Sequence, residues 1–98
     1  MRPRITAVYK DIRATDQFVV LTNAPSMNQM AINTAIHVHV NSKGVLVAIW
    51  CPCYLKVLKK NAHVNAEISF ECMPEEFQAA ANDALELYEK HFEELQVN

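Results

Sequence analysis

The chain has 98 residues, 51% of them aliphatic, aromatic or cysteine and 20% charged, which is a globular balance and excludes an intrinsically disordered segment or a repeat array. Its net charge of −2 hides a division. Residues 1–60 hold eight of the nine Lys and Arg against Asp11 and Asp16, and residues 61–98 hold nine of the eleven Asp and Glu against Lys90. No apolar run approaches the roughly 18 residues of a membrane span, and the polar start Met1-Arg2-Pro3-Arg4 does not resemble a signal peptide, so a cytoplasmic protein without membrane partners is expected. Three cysteines, at 51, 53 and 72, do not make a disulfide framework. Reduced thiols follow.

Residues 5–13 are rich in β-formers with imperfect alternation. An edge strand is predicted there, with Lys10 and Arg13 discouraging sheet-to-sheet pairing. A turn at 14–17 leads to a second strand over 18–22. Ser26 and Gln29 have the spacing of a capping box, with Met27, Met30 and Ala31 at helical intervals behind them, which predicts a short helix over about 27–33. The methionines read as core filler.

Residues 35–53 form the central pattern: two alternating runs flanking Asn41-Ser42-Lys43-Gly44, which contains the only glycine in the chain. A β-hairpin is predicted. Two registers compete. A two- or four-residue loop sets Val40 against Val45, whereas a three-residue loop sets Val40 against Leu46 and gathers Ile36, Val38, Val40, Leu46, Ala48 and Trp50 on one face. Turn chemistry favours the second, with Asn41 opening a type I turn and Gly44 in the left-handed position of a bulge. In it, Cys51 lies diagonally across from His37. The mixed face would still want a cover, from the short helices or from a second subunit.

Pro52 is expected to end the fourth strand, since it cannot donate to a ladder. Residues 54–60 fit a two-turn helix. The cleanest period of two lies over 63–73 and predicts a strand with Val64, Ala66, Ile68, Phe70 and Cys72 buried. Pro74 then opens a helix with Glu75 and Glu76 at its positive end. Phe77, Ala81, Ala84, Tyr88, His91 or Phe92, and Leu95 recur at steps of three and four, marking one apolar stripe to about residue 95.

Sites are sparse in this pattern. His37-x-His39 and Cys51-x-Cys53 offer zinc-type ligands, but residues i and i+2 on a strand face stand about 7 Å apart, and neither pair has knuckle spacing. Ordinary strand histidines and packed thiols are the plainer reading, so no metal and no cofactor is assigned. A Cys51–His37 dyad is conceivable in the favoured register, without any mark of an oxyanion hole. Glu67 and Glu71 would stand roughly 13 Å apart on one strand face, too far for paired glycosidase carboxylates. A single glycine cannot build a phosphate-cradling loop. No catalytic residue is assigned, and an enzyme is not expected.

The expectation is therefore a single α+β domain over 1–98: a mainly antiparallel sheet of about five strands, a long C-terminal helix packed on one face, and one or two short connecting helices. The expected function is a small protein-interaction module, of the inhibitor, immunity, antitoxin-like or assembly-adaptor kind. It would act through the sheet face or through the acidic helix face at Asp83, Glu86, Glu89 and Glu93, facing a partner with a basic surface. A homodimer is expected because so short a chain covers both faces of a sheet with difficulty. The alternative is nucleic-acid binding through Arg2, Arg4, Lys10, Arg13, Lys56, Lys59 and Lys60. Against the acidic surface stands the fact that the outer face of a helix is commonly charged.

Overall fold

The computed structural model describes residues 3–14, 16–24, 33–53 and 55–97, and within these the side chains other than those of 33, 52–53, 55–57 and 91–97. It is an α+β fold, as the sequence predicts. Strands β1 (Ile5–Asp11), β2 (Gln17–Thr22), β3 (Asn33–Val40) and β4 (Leu46–Cys53) form an antiparallel meander. Helix α1 (Leu55–Lys60) leads to β5 (Asn65–Ile68), a 3-10 turn covers Phe70–Cys72, and helix α2 (Glu75–Val97) ends the chain. The sheet order is β4-β3-β2-β1-β5. Ser26, Met27, Gln29, Met30 and Ala31, the heart of the expected helix over 27–33, lie outside the described residues; its last position, Asn33, belongs to β3.

The order of the strands decides how the sheet is covered. Since β5 runs antiparallel to β1, it runs parallel to β4 at the opposite edge. A connection between parallel strands must cross the sheet. The segment holding α1 makes that crossing, and its Leu58, with Ala7, Tyr9, Val19 and Cys51, packs against the buried pair Leu21 and Ala35. Helix α2 covers the other face, where Val8, Phe18, Val20, Ile36, Val38, Met73, Phe77, Ala81 and Ala84 make the main core.

The helix is tied down at two places. Phe77 meets Phe18 edge-on with ring centroids 5.4 Å apart, and Tyr88 lies over Trp50 at 4.4 Å. The Trp50 indole N–H donates to the Ala84 carbonyl at 3.4 Å. The predicted stripe thus faces the sheet as far as the side chains are described. At the start of α2 the Pro74 carbonyl accepts from the Phe77 and Gln78 amides, so the proline stands one residue ahead of the first helical residue.

The hairpin adopts the three-residue register, with Val40 opposite Leu46 and His37 opposite Ile49. The Asn41 amide donates to the Val45 carbonyl, the Gly44 amide donates to Asn41, and Gly44 has φ of 78°. The Asn41 side-chain oxygen accepts from the amides of Lys43 and Val45. A short polar side chain that can hold the turn from within, and a glycine that can be left-handed, fix the register where hydrophobic pattern alone cannot.

Three expectations are corrected. Strand β1 is not an edge, because it pairs with both β2 and β5. Its imperfect alternation comes from a bulge, in which Ile5 faces Thr22 while Ala7 already faces Leu21. The extra residue lets Ile5 and Val8 both join the α2 side while Ala7 and Tyr9 join the other. Pro52 does not end β4, which continues to Cys53. Counting from the bonded Asn41 and Val45 pair, Pro52 falls at a non-bonded position opposite Thr34, and β4 is an edge, so the missing N–H would have pointed away from β3 and costs the ladder no bond. Finally, the strand predicted over 63–73 is only four residues long, and Cys72 is exposed. The chain leaves extended geometry at Ser69, and a 3-10 turn, with about three residues per turn, brings Phe70 and Met73 to the same side. Met73 takes the buried place expected for Cys72.

Candidate functional site

Two surfaces hold the acidic residues of α2 and the histidines and thiol of the hairpin. The first is the outer side of α2. Its inward stripe of Phe77, Ala81 and Ala84 is buried, and the opposite side of the helix carries the charge: Glu75, Glu76, Asp83 and Glu86 are all exposed. Glu89 is half-buried and engaged in an interaction of its own, so it stands at the margin of this surface. The side chain of Glu93 lies outside the described residues. Lys90 is an exposed cation on the same helix.

The second surface is the corner of the sheet left open by α1, around the outer half of the β3–β4 hairpin. Here His37, His39, Val47, Ile49 and Cys51 share one face, because alternate residues on paired strands point the same way. His37 and His39 stack with ring centroids 4.4 Å apart, closer than their backbone spacing implies, because the rings lean together along the strand. The His39 Nδ1 lies 3.3 Å from the Val40 carbonyl.

Burial lowers the pKa of His37 below the usual histidine value, and the nearby charge of His39 lowers it further. Burial pushes the Cys51 thiol up, partly offset by the His37 backbone. Both groups are therefore held in their neutral forms at neutral pH. A neutral imidazole and a protonated thiol at diagonal positions are not the thiolate–imidazolium pair of an activated cysteine. Among the described residues no three His, Cys, Asp or Glu side chains are placed to hold a metal ion together, and the Cys53 side chain is not among those described.

The basic residues divide. Residues 61–64 fold into a compact turn in which the Asn65 amide donates to Asn61, and the Val64 carbonyl accepts from the Ile12 amide. That turn joins exposed Lys59 and Lys60 of α1 to the C-terminal end of β1, which exposed Arg13 follows, while Lys10, paired with Phe18, belongs to the α2 side. Arg4 lies at the other end of the strand. Arg13 is committed to Asp11, its guanidinium 2.9 Å from the carboxylate. The Arg13 hydrogen bonds hold the Asp11 carboxyl at about 2, well below the ordinary range. Arg2 and the side chain of Lys56 lie outside the described residues. Glu67 and Glu71 are both exposed, and they line an open groove where β5 parts from Ile5, Thr6 and Ala7 of β1, rather than one strand face.

Sequence reasoning missed the stacking of the two histidines and the exposure of Cys72. The first had a signal, since His-x-His on one strand face permits ring contact. No helix among the described residues is long and apolar enough to cross a membrane. Comparison with protein-family models, with curated proteins and with solved structures returned no match. The class that fold and surfaces define is an α+β domain with one closed and one partly open sheet face.

Proposed function

We propose that this chain is a small non-enzymatic protein-interaction module, of the inhibitor, immunity, antitoxin-like or assembly-adaptor kind, that presents the outer side of α2 to a partner with a basic surface. The observation that supports it is the exposure of Glu75, Glu76, Asp83 and Glu86 along a helix anchored by Phe77 and by the contact of Tyr88 with Trp50. A row of like charges on a fixed helix gives a partner an electrostatic target that costs little ordering on binding. The test is charge reversal at Asp83, Glu86, Glu89 and Glu93 to Lys, followed by affinity capture from the native host. Loss of the captured partner with the fold retained is expected; unchanged capture would reduce the acidic surface to a solubilising one.

A second reading, nucleic-acid binding, draws support from the exposed Lys59 and Lys60 at the end of α1. It is weakened by the pairing of Arg13 with Asp11. This reading requires retention on heparin that disappears by moderate salt. Absence of retention at low salt removes it.

A further inference from the structure

The two edges of the sheet are built differently. Strand β5 is four residues long and carries exposed Glu67, both of which discourage another strand from adding to it. Strand β4 is eight residues long, and no charged residue occurs from Val45 to Tyr54. Long, uncharged, apolar edges are templates for further pairing. Ile49 of β4 is 52% exposed, and Val45, just ahead of the strand, 53%.

We propose that β4 pairs antiparallel with β4 of a second copy of this chain, about a two-fold axis at Ala48, joining the two sheets into one. The backbone selects this partner and register. Counting from the bonded Asn41 and Val45 pair, residues 47, 49 and 51 turn their N–H and C=O toward β3, and residues 46, 48, 50 and 52 turn theirs outward. Pro52 has no N–H to offer. An axis at Ala48 sets Ala48 against its own copy and Leu46 against Trp50 of the other chain. Each such pair exchanges both N–H···O bonds, and every outward donor of the strand is used. Pro52 then falls opposite Gly44, at the margin. Moving the axis by one residue toward Pro52 would set the missing donor against Leu46. Since β4 is uncharged, the strand meets its copy with no like charges opposed.

Side chains agree with the backbone. On the open face Val47 comes opposite Ile49 of the other copy, and Val45 opposite its Cys51, giving the exposed apolar residues cross-strand neighbours. Helix α2 supplies a second observation. Its contacts run from Phe18 on β2, at Phe77, to Trp50 on β4, at Tyr88. Nine further helical residues, 89–97, rise about 13 Å on the same line. That line leads past the outer strand of its own sheet and over the position the second sheet would occupy. The sequence there continues the apolar spacing at Phe92 and Leu95. The helix crosses β4 near residue 50, about 7 Å from the axis at 48, so the two copies of α2 pass one another antiparallel without collision.

The test combines mass and amide exchange. Sedimentation equilibrium across roughly 1 to 300 µM should show a monomer–dimer equilibrium. In the dimer the Leu46, Ala48 and Trp50 amides should gain protection from hydrogen exchange together, as concentration rises. Ala48→Pro removes the central donor without touching a β3 bond, and should weaken the dimer at least about tenfold. Ile49→Lys places a charge against Val47 of the other copy and should do the same; that side chain is half-exposed, so it stands in if Ala48→Pro fails to fold. A chain monomeric over the whole range overturns the proposal. So does a dimer in which those three amides exchange as in the monomer, or one that folded Ile49→Lys leaves intact.

Discussion

The face of the sheet under α2 carries more aliphatic residues than the face under α1, and the two are closed to very different degrees. Under α2, Val8, Val20, Ile36 and Val38 are at most 1% exposed, and aromatic contacts hold the helix at both ends of its footprint. Under α1, among the described residues of that face, only Leu21 and Ala35 are buried, while the stretch from His37 to Ile49 stays half open. A six-residue helix has little surface with which to cover five strands. The lesson is that a face becomes a core where a largely apolar set of strand residues meets a covering element long enough to span it. The same alternation in β3 supplies Ile36 to one face and His37 to the other, and only the first is sealed.

That difference can be put to the test by truncation. Phe77→Ala removes the ring that packs on Phe18 and should cost about 3–5 kcal/mol in urea unfolding, enough to threaten the fold. Leu58→Ala, the corresponding loss on the thinner side, should cost only about 1 kcal/mol, because Leu58 is already partly exposed. Equal costs would mean that α1 seals its face as well as α2 does.

The hairpin turn assigns residues to the two faces, so it offers a sharper probe. Gly44→Ala meets no atom within 4 Å, and its cost comes from the left-handed backbone alone. It should destabilise by about 1–2 kcal/mol with the register retained. A change of register would show instead as new cross-strand contacts between Val40 and Val45.

The open face should also respond to acid while the closed one does not. His37 has a folded-state pKa below its unfolded value, so protons bind the unfolded chain more readily. Stability should be full above about pH 6.5 and fall as pH drops through and below that value toward the folded pKa. The effect should be a fraction of the Gly44 cost, and His37→Gln should flatten it. A slope of the same size in that variant would place the responsible group elsewhere. The smallest effect sought is chemical: mass-resolved alkylation at neutral pH should modify exposed Cys72 well before Cys51, whose thiol is half-buried and pushed up. A faster Cys51 would mean that the open face is more accessible than its geometry shows.

Much of this architecture is readable in the sequence where local chemistry is strong. Asn41 and Gly44 specify the hairpin register, and the spacing from Phe77 to Tyr88 specifies the inward side of α2. The failures are equally physical. The bulge near Thr6 adds a residue that period-two reading cannot see, and so β1 looked like an edge. Pro52 reads as a terminator unless β4 is known to lie outermost, which is a property of strand order and not of the strand. Over residues 63–73 the alternation is genuine as far as Ile68, but a 3-10 turn preserves an apolar pattern for another reason, exchanging Cys72 for Met73. Of the surfaces, the acidic character of α2 is plain in the sequence. The division of the basic residues between the two ends of β1, and the capture of Arg13 by Asp11, depend on the fold.

The crossing of α1 also bears on how the chain reaches this structure. The first four strands can assemble hairpin by hairpin, each closing a short loop. Strand β5 cannot, because Ile68 must find Val8 across most of the chain's length, and only after the connecting segment has been laid over a sheet that already exists. Loop-closure entropy therefore orders the events: meander first, fifth strand and long helix later. The shortest strand is then also the last to join. In native-state hydrogen exchange its pairing with β1 should be the first part of the sheet to open, leaving the four-strand meander to persist behind it.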